Sequence, residues 1–112
     1  MKKIEAIIQP YKFEDVKEAL NKINFGGITV VQVMGAGRQK GWKEVYRGTV
    51  VDIQMLQKIK VEIVVNDEDV DRVVGVIIEA SKTNEIGDGK IFIYDVVDAV
   101  RIRTGERGKD AI

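Results

Sequence analysis

The residues with the most chemical reach in this chain are basic groups set beside glycine. TNEIGDGKIFI (83–93) turns at Gly87-Asp88-Gly89 and enters an apolar strand at Lys90. Glycines at such a turn let backbone N–H groups approach phosphate oxygens closely, and a neighbouring lysine adds a point charge. The same residues also suit a plain Asp-Gly turn between elements, and both readings stand at this point. The G-x-x-x-x-G-K-[ST] spacing of a P-loop is absent. Arg101 and Arg103 are two apart, so an extended backbone would put both guanidinium groups on one side, against an anion or as a solvated basic edge. Arg38 and Lys40 repeat that spacing between Gly37 and Gly41. Taken together, the three basic groups suit a polyphosphate better than any one of them does.

Other chemistry is closed off by what is missing. The chain has no histidine and no cysteine, which removes thiol nucleophiles, disulfides, Ser-His-Asp and Cys-His arrangements, and most zinc sites. The lack of cysteine fits a reducing, cytoplasmic setting. Lys plus Arg number 18 and Asp plus Glu number 18, so no bulk charge favours nucleic acid or a membrane surface. Glu14, Glu18, Asp69 and Glu79 fall on expected outer helix faces rather than as an acid–base pair. Trp42 and Tyr46, four apart and flanked by Lys43 and Arg47, are the residue types that dominate protein interfaces. A local tuck against the domain's own surface is the other reading of them.

The elements that must position these groups follow from hydrophobic periodicity. At 112 residues and 45% hydrophobic, the chain is one globular domain, and no apolar run approaches membrane-spanning length. KKIEAIIQ (2–9) alternates as a half-buried strand, and EDVKEALNKIN (14–24) carries a helical stripe at Val16, Ala19, Leu20 and Ile23, ended by Gly26 and Gly27. ITVVQVM (28–34) is a second strand. The plan repeats with IKVEIVV (59–65), a helix over 67–80 capped by Asp67 with a stripe of Val70, Val73, Val74, Ile77 and Ile78, and a fourth strand at 90–96. The expected fold is α+β: a ferredoxin-like βαβ-βαβ sandwich with a four-stranded antiparallel sheet. A long loop, about 37–57, separates the second and third strands, and a short C-terminal segment follows the fourth. Connections of that length in a compact domain are usually functional.

With these residues in hand, the chain resembles the PII nitrogen-regulatory signal-transduction family over essentially its whole length. MKKIEAIIQPYKFEDVKEAL, GAGRQKG (35–41), YRG (46–48), the Thr83–Ile93 stretch and the closing RIRTGERGKDAI carry the resemblance. It implies a homotrimeric sensor rather than an enzyme, with ATP or ADP in clefts between subunits. The family's nucleotide contacts fall on Ile7, Thr29, Gly35, Gly37, Arg38, Gln39, Val64, Gly87, Asp88, Gly89, Lys90, Arg101 and Arg103. The resemblance also implies 2-oxoglutarate beside MgATP. Its contacts would be Gln39, Lys40, Gly41, Lys58 and Gly87, with Gln39 as the protein's Mg²⁺ ligand and Lys58 pairing with a ligand carboxylate. Trp42, Tyr46 and Arg47 would belong to the partner-binding arm, whose commonest target in the family is an ammonium transporter, with glutamine synthetase as the alternative.

Two departures stand out. YRG is followed by Thr49-Val50-Val51, so the tyrosine that some members have uridylylated is absent, and Val51 has no hydroxyl to modify. The family's D-x-L-P-K reads QMLQK (54–58), which keeps Leu56 and Lys58 but loses the proline's backbone constraint. Two other functional classes suit the fold. One is a small enzyme, an acyl phosphatase or a nucleotide phosphotransferase, of which the missing histidine argues against the phosphotransferase; the other, an RNA-binding module, is disfavoured by the absence of aromatics from 2–9 and 59–65.

Overall fold

Alternating apolar residues in two segments build one buried sheet face. The computed structural model describes the backbone of residues 1–38, 44–46, 49–51 and 53–112, and the side chains of 1–36 and 55–112. Strand β1 (Lys2–Ile8) buries Ile4, Ala6 and Ile8, and β5 (Ile53–Val65) buries Val61, Ile63 and Val65 on the same face. Helix α1 (Phe13–Lys22) lays Val16 and Leu20 on them, and α2 (Val70–Ser81) adds Val73 and Ile77. Strands β2 (Thr29–Arg38) and β6 (Gly89–Asp95) form the edges of the antiparallel order β2-β5-β1-β6. This is the expected ferredoxin-like α+β sandwich, with both helices on one face of a four-stranded antiparallel sheet.

The arm between β2 and β5 has regular backbone where it is described. β3 (Glu44–Tyr46) and β4 (Thr49–Val51) pair antiparallel, with Tyr46 opposite Thr49. β2 and β5 run further than alternation alone marks, and stay in register out to Arg38 opposite Ile53. The sequence pattern missed these ends because glycines and polar residues interrupt the alternation there, while backbone pairing continues regardless of side-chain polarity.

Three local expectations are corrected. Helix α1 is not stopped by Gly26 and Gly27. Asn24 takes the left-handed turn at φ 65°, with its N–H on the Asn21 carbonyl (3.0 Å) and the Phe25 N–H on Leu20 (2.9 Å). That pair of bonds is a Schellman ending with asparagine in glycine's usual place. Asp67 does not cap α2: it begins a 3₁₀ turn (Asp67–Asp69), and its carboxylate instead meets the N-terminal ammonium at 2.9 Å. Ile78, expected in the buried stripe, is 44% exposed beside the β6 edge.

Candidate functional site

The antiparallel registers decide which candidate residues meet. β1 pairs with β5 so that Ile7 faces Lys60, and with β6 so that Ile7 faces Lys90 and Ile8 faces Gly89. Continuing both registers one residue past Ile8 brings Gln9 level with Lys58 and Asp88. One end of the sheet therefore gathers Ile7, Lys58 and the Gly87–Lys90 turn. A concavity of about 390 Å³ beside the β6 edge is lined there by Ile7, Asp88, Gly89 and Lys90 together with Val74 and Ser81 of α2. Gly35 lies at the same end, where a Cβ added to it would stand 4.0 Å from the Lys58 side chain.

The turn itself is held open by its own chain. Gly87 and Gly89 have φ of +102° and +106°, a region that residues with a side chain rarely adopt. A Cβ on Gly89 would sit 1.7 Å from the Ile7 carbonyl oxygen, so only glycine lets β6 start this close to β1. The Gly87 carbonyl accepts from Lys58 Nζ at 2.7 Å and from Gln9 Nε2 at 2.8 Å. Asp88 turns its carboxylate inward, accepting from the Thr83 N–H (2.8 Å), the Asn84 N–H (3.0 Å) and the Thr83 hydroxyl. The Thr83 hydroxyl, with the backbone N–H groups beside it, holds the Asp88 carboxyl below its ordinary range. Burial pulls the Lys58 ammonium below its usual pKa, opposed by the field of Asp88. Among the described residues no acceptor claims the Gly87 N–H, and the Lys90 side chain is exposed. Such a turn presents backbone donors and one cation to an anion while its own carboxylate is occupied elsewhere. Asp88 thus braces the turn, and Gln9, which nothing in its type or spacing singled out, braces it too.

The remaining candidates lie elsewhere. Thr29 pairs opposite Glu62 and Val64 opposite Lys3, at the far end of the sheet. They line a separate concavity of about 270 Å³ with Lys3, Gly27 and Ile112. Thr29 and Gly35 are six residues apart on β2, or about 20 Å at roughly 3.3 Å per residue. Arg101 and Arg103 belong to the C-terminal segment, and the extended backbone expected for them is not found. Residues 102–104 form a turn, with the Gly105 N–H on the Arg101 carbonyl (2.7 Å) and the Arg101 N–H on Glu106 (2.9 Å). Arg101 already pairs with the Glu106 carboxylate at 3.2 Å, while Arg103 is exposed. The alternation rule failed here because Gly105, at φ +73°, folds the segment back on itself. Gly37 and Arg38 continue β2 in backbone only, and Gln39, Lys40, Gly41, Trp42 and Arg47 lie outside the described residues.

The open face of the sheet carries a feature that strand alternation alone signals weakly. Lys60 reaches both Glu5 and Glu62 at 3.4 Å, and Lys3 stands over the Tyr94 ring at 4.7 Å. Tyr94 hydrogen-bonds Glu5 and holds that carboxyl below its ordinary range. Glu5 and Glu62 stand directly opposite one another, and Lys60, diagonal to Glu5 and two residues from Glu62 along β5, offsets their like charge.

A ferredoxin-like sheet with a paired β3–β4 segment between β2 and β5, and a braced glycine turn at the start of β6, defines a class of small α+β domain. Within that class the chain belongs to the nitrogen regulatory protein P-II family, whose model matches residues 1–106. It is 54% identical over 112 residues, covering all of both chains, to nitrogen regulatory protein P-II of Pasteurella multocida (strain Pm70), and equally to that of Rhodospirillum rubrum. The P-II protein of Azospirillum brasilense is 53% identical over the same span. The role of the chain is accordingly regulatory signal transduction. No helix among the described residues is long and apolar enough to cross a membrane.

Proposed function

We propose that this protein binds ATP or ADP, and MgATP together with 2-oxoglutarate, and that its arm then binds and inhibits a target, foremost an ammonium transporter. The observation that carries the reading is that the nucleotide contacts implied by the resemblance divide between two ends of one sheet. Ile7, Lys58 and Gly87–Lys90 share one end, and Thr29 and Val64 the other. A nucleotide touching both sets on one chain would have to lie along most of the sheet. Two copies placed end to end supply both sets to one cleft, so the reading includes a homotrimer in which each cleft is shared.

The residues present fit a phosphate group, because Gly87, at φ +102°, has an N–H that no acceptor among the described residues claims, close to the exposed Lys90. In this assignment Lys90 neutralises phosphate charge, the turn donates backbone hydrogen bonds, and Arg101 and Arg103 approach from the neighbouring copy. Bound Mg²⁺ would supply a bridge between phosphate and oxo-acid oxygens, with Gln39 as its protein ligand. Lys58 would take a carboxylate of the oxo acid. Exposed Val97 (99%), Ile102 (100%) and Ile93 (50%) give the copies apolar surface to bury. The protein would work in the cytoplasm, meeting a membrane only peripherally through the transporter.

Lys90→Ala should weaken ATP binding at least tenfold by calorimetry, as expected for a lost charge-assisted contact; unchanged affinity removes the phosphate role. Arg47→Ala should release the transporter in a pull-down while ATP still binds. Continued transporter capture argues against arm insertion, and capture of glutamine synthetase instead would shift the assignment to that target.

A further inference from the structure

Lys58 and Gln9 hold the same atom. The Gly87 carbonyl oxygen takes one donor from each, at 2.7 and 2.8 Å, which fills both of its lone pairs. The two donors differ in what can draw them away. Lys58 is an ammonium in a partly buried setting, so a nearby carboxylate competes strongly for it. Gln9 is neutral, and an arriving anion exerts little pull on it. Its amide nitrogen also packs against the turn, 3.2 Å from where a Cβ on Gly87 would stand. From these contacts we infer that Gln9 is a positioning residue: it keeps the Gly87–Lys90 turn in shape when Lys58 leaves Gly87 for a ligand carboxylate. The inference rests on the reading above that Lys58 takes the carboxylate of 2-oxoglutarate. Its consequence is selective. With nucleotide alone, Lys58 stays on Gly87 and Gln9 is dispensable. Once the oxo acid claims Lys58, a chain lacking the Gln9 donor leaves a part-buried carbonyl unsatisfied, and the oxo acid's affinity bears that cost.

The test uses the full chain with Gln9→Met, which keeps length and loses the donor, and Gln9→Ala as a second variant. Calorimetry should show ATP affinity within twofold of the parent in both, and 2-oxoglutarate affinity in the presence of MgATP lowered about tenfold, the scale of one unsatisfied polar group. Hydrogen exchange at the Asp88–Lys90 amides should speed up in the variants only when 2-oxoglutarate is bound, a change that general destabilisation would not confine to that state. Equal oxo-acid affinity in parent and variants overturns the clasp. So does an equal loss of ATP and oxo-acid binding, or failure of both variants to fold, because each would mean that Lys58 alone does not hold the turn. If the parent itself binds no 2-oxoglutarate with MgATP, the functional reading fails first, and the clasp falls with it.

Discussion

At the scale of single residues, the candidate site owes its form to groups that hold one another in place. Asp88 stands inside the glycine turn, where sequence placed it among the nucleotide contacts, yet its oxygens face Thr83 and Asn84. Its carboxyl is held below the ordinary range, chiefly by the Thr83 hydroxyl, so the folded chain favours the ionised form. The stabilisation this gives is complete above the carboxylate's unfolded pKa of about 4 and is lost as pH falls through the lower folded value. Exchange of the Thr83 and Asn84 amides should therefore accelerate on acidification in that window. Asp88→Asn should exchange quickly at neutral pH and lack the acid step; a variant that keeps the parent's pH profile would show that another group controls the turn.

At the scale of elements, the ending of α1 shows how local chemistry substitutes for a residue preference. Asn24 at φ 65° does what glycine does at most such helix ends, helped by the two Schellman bonds and by Phe25, which packs on the core that Leu20 joins. Asn24→Gly should raise stability by up to about 1 kcal/mol, and Asn24→Val should lower it by about 1–2 kcal/mol, since a β-branched residue pays most in the left-handed region. Denaturant unfolding measures both. A neutral Asn24→Val would mean that the helix end relaxes to another turn. The strands show the complementary effect: β2 and β5 extend to Arg38 and Ile53 because their backbones pair, although GAGR and IQMLQ do not alternate.

For the whole molecule, the question is what lies over the surfaces one chain leaves open. Val97 and Ile102 are almost fully exposed, and among the described residues no helix covers the sheet face bearing Glu5, Lys60 and Glu62. Such apolar exposure is expected where copies meet. If the proposed trimer forms through this surface, the double change Val97→Asp with Ile102→Asp should yield a monomer in sedimentation and weaken ATP binding with it, because each proposed cleft draws on two copies. A variant that stays trimeric would place the contact elsewhere. Val51 carries no hydroxyl, so uridylylation at that position is chemically closed to this chain.

The sequence by itself determined the fold class, the buried face of each strand, the helical stripes and the glycine turn at Gly87-Asp88-Gly89, because periodicity and glycine placement are local properties of the chain. Only the tertiary structure decided that Gln9 and Lys58 share the Gly87 carbonyl, since those residues lie 78 and 29 positions from it and meet only through strand register. It also decided that Asp88 faces inward, that Gly105 folds the Arg101–Arg103 segment into a turn, and that Thr29 and Val64 stand at the opposite end of the sheet from Lys90. Residue types say what a group can bind. Which groups meet is fixed by how the strands pair.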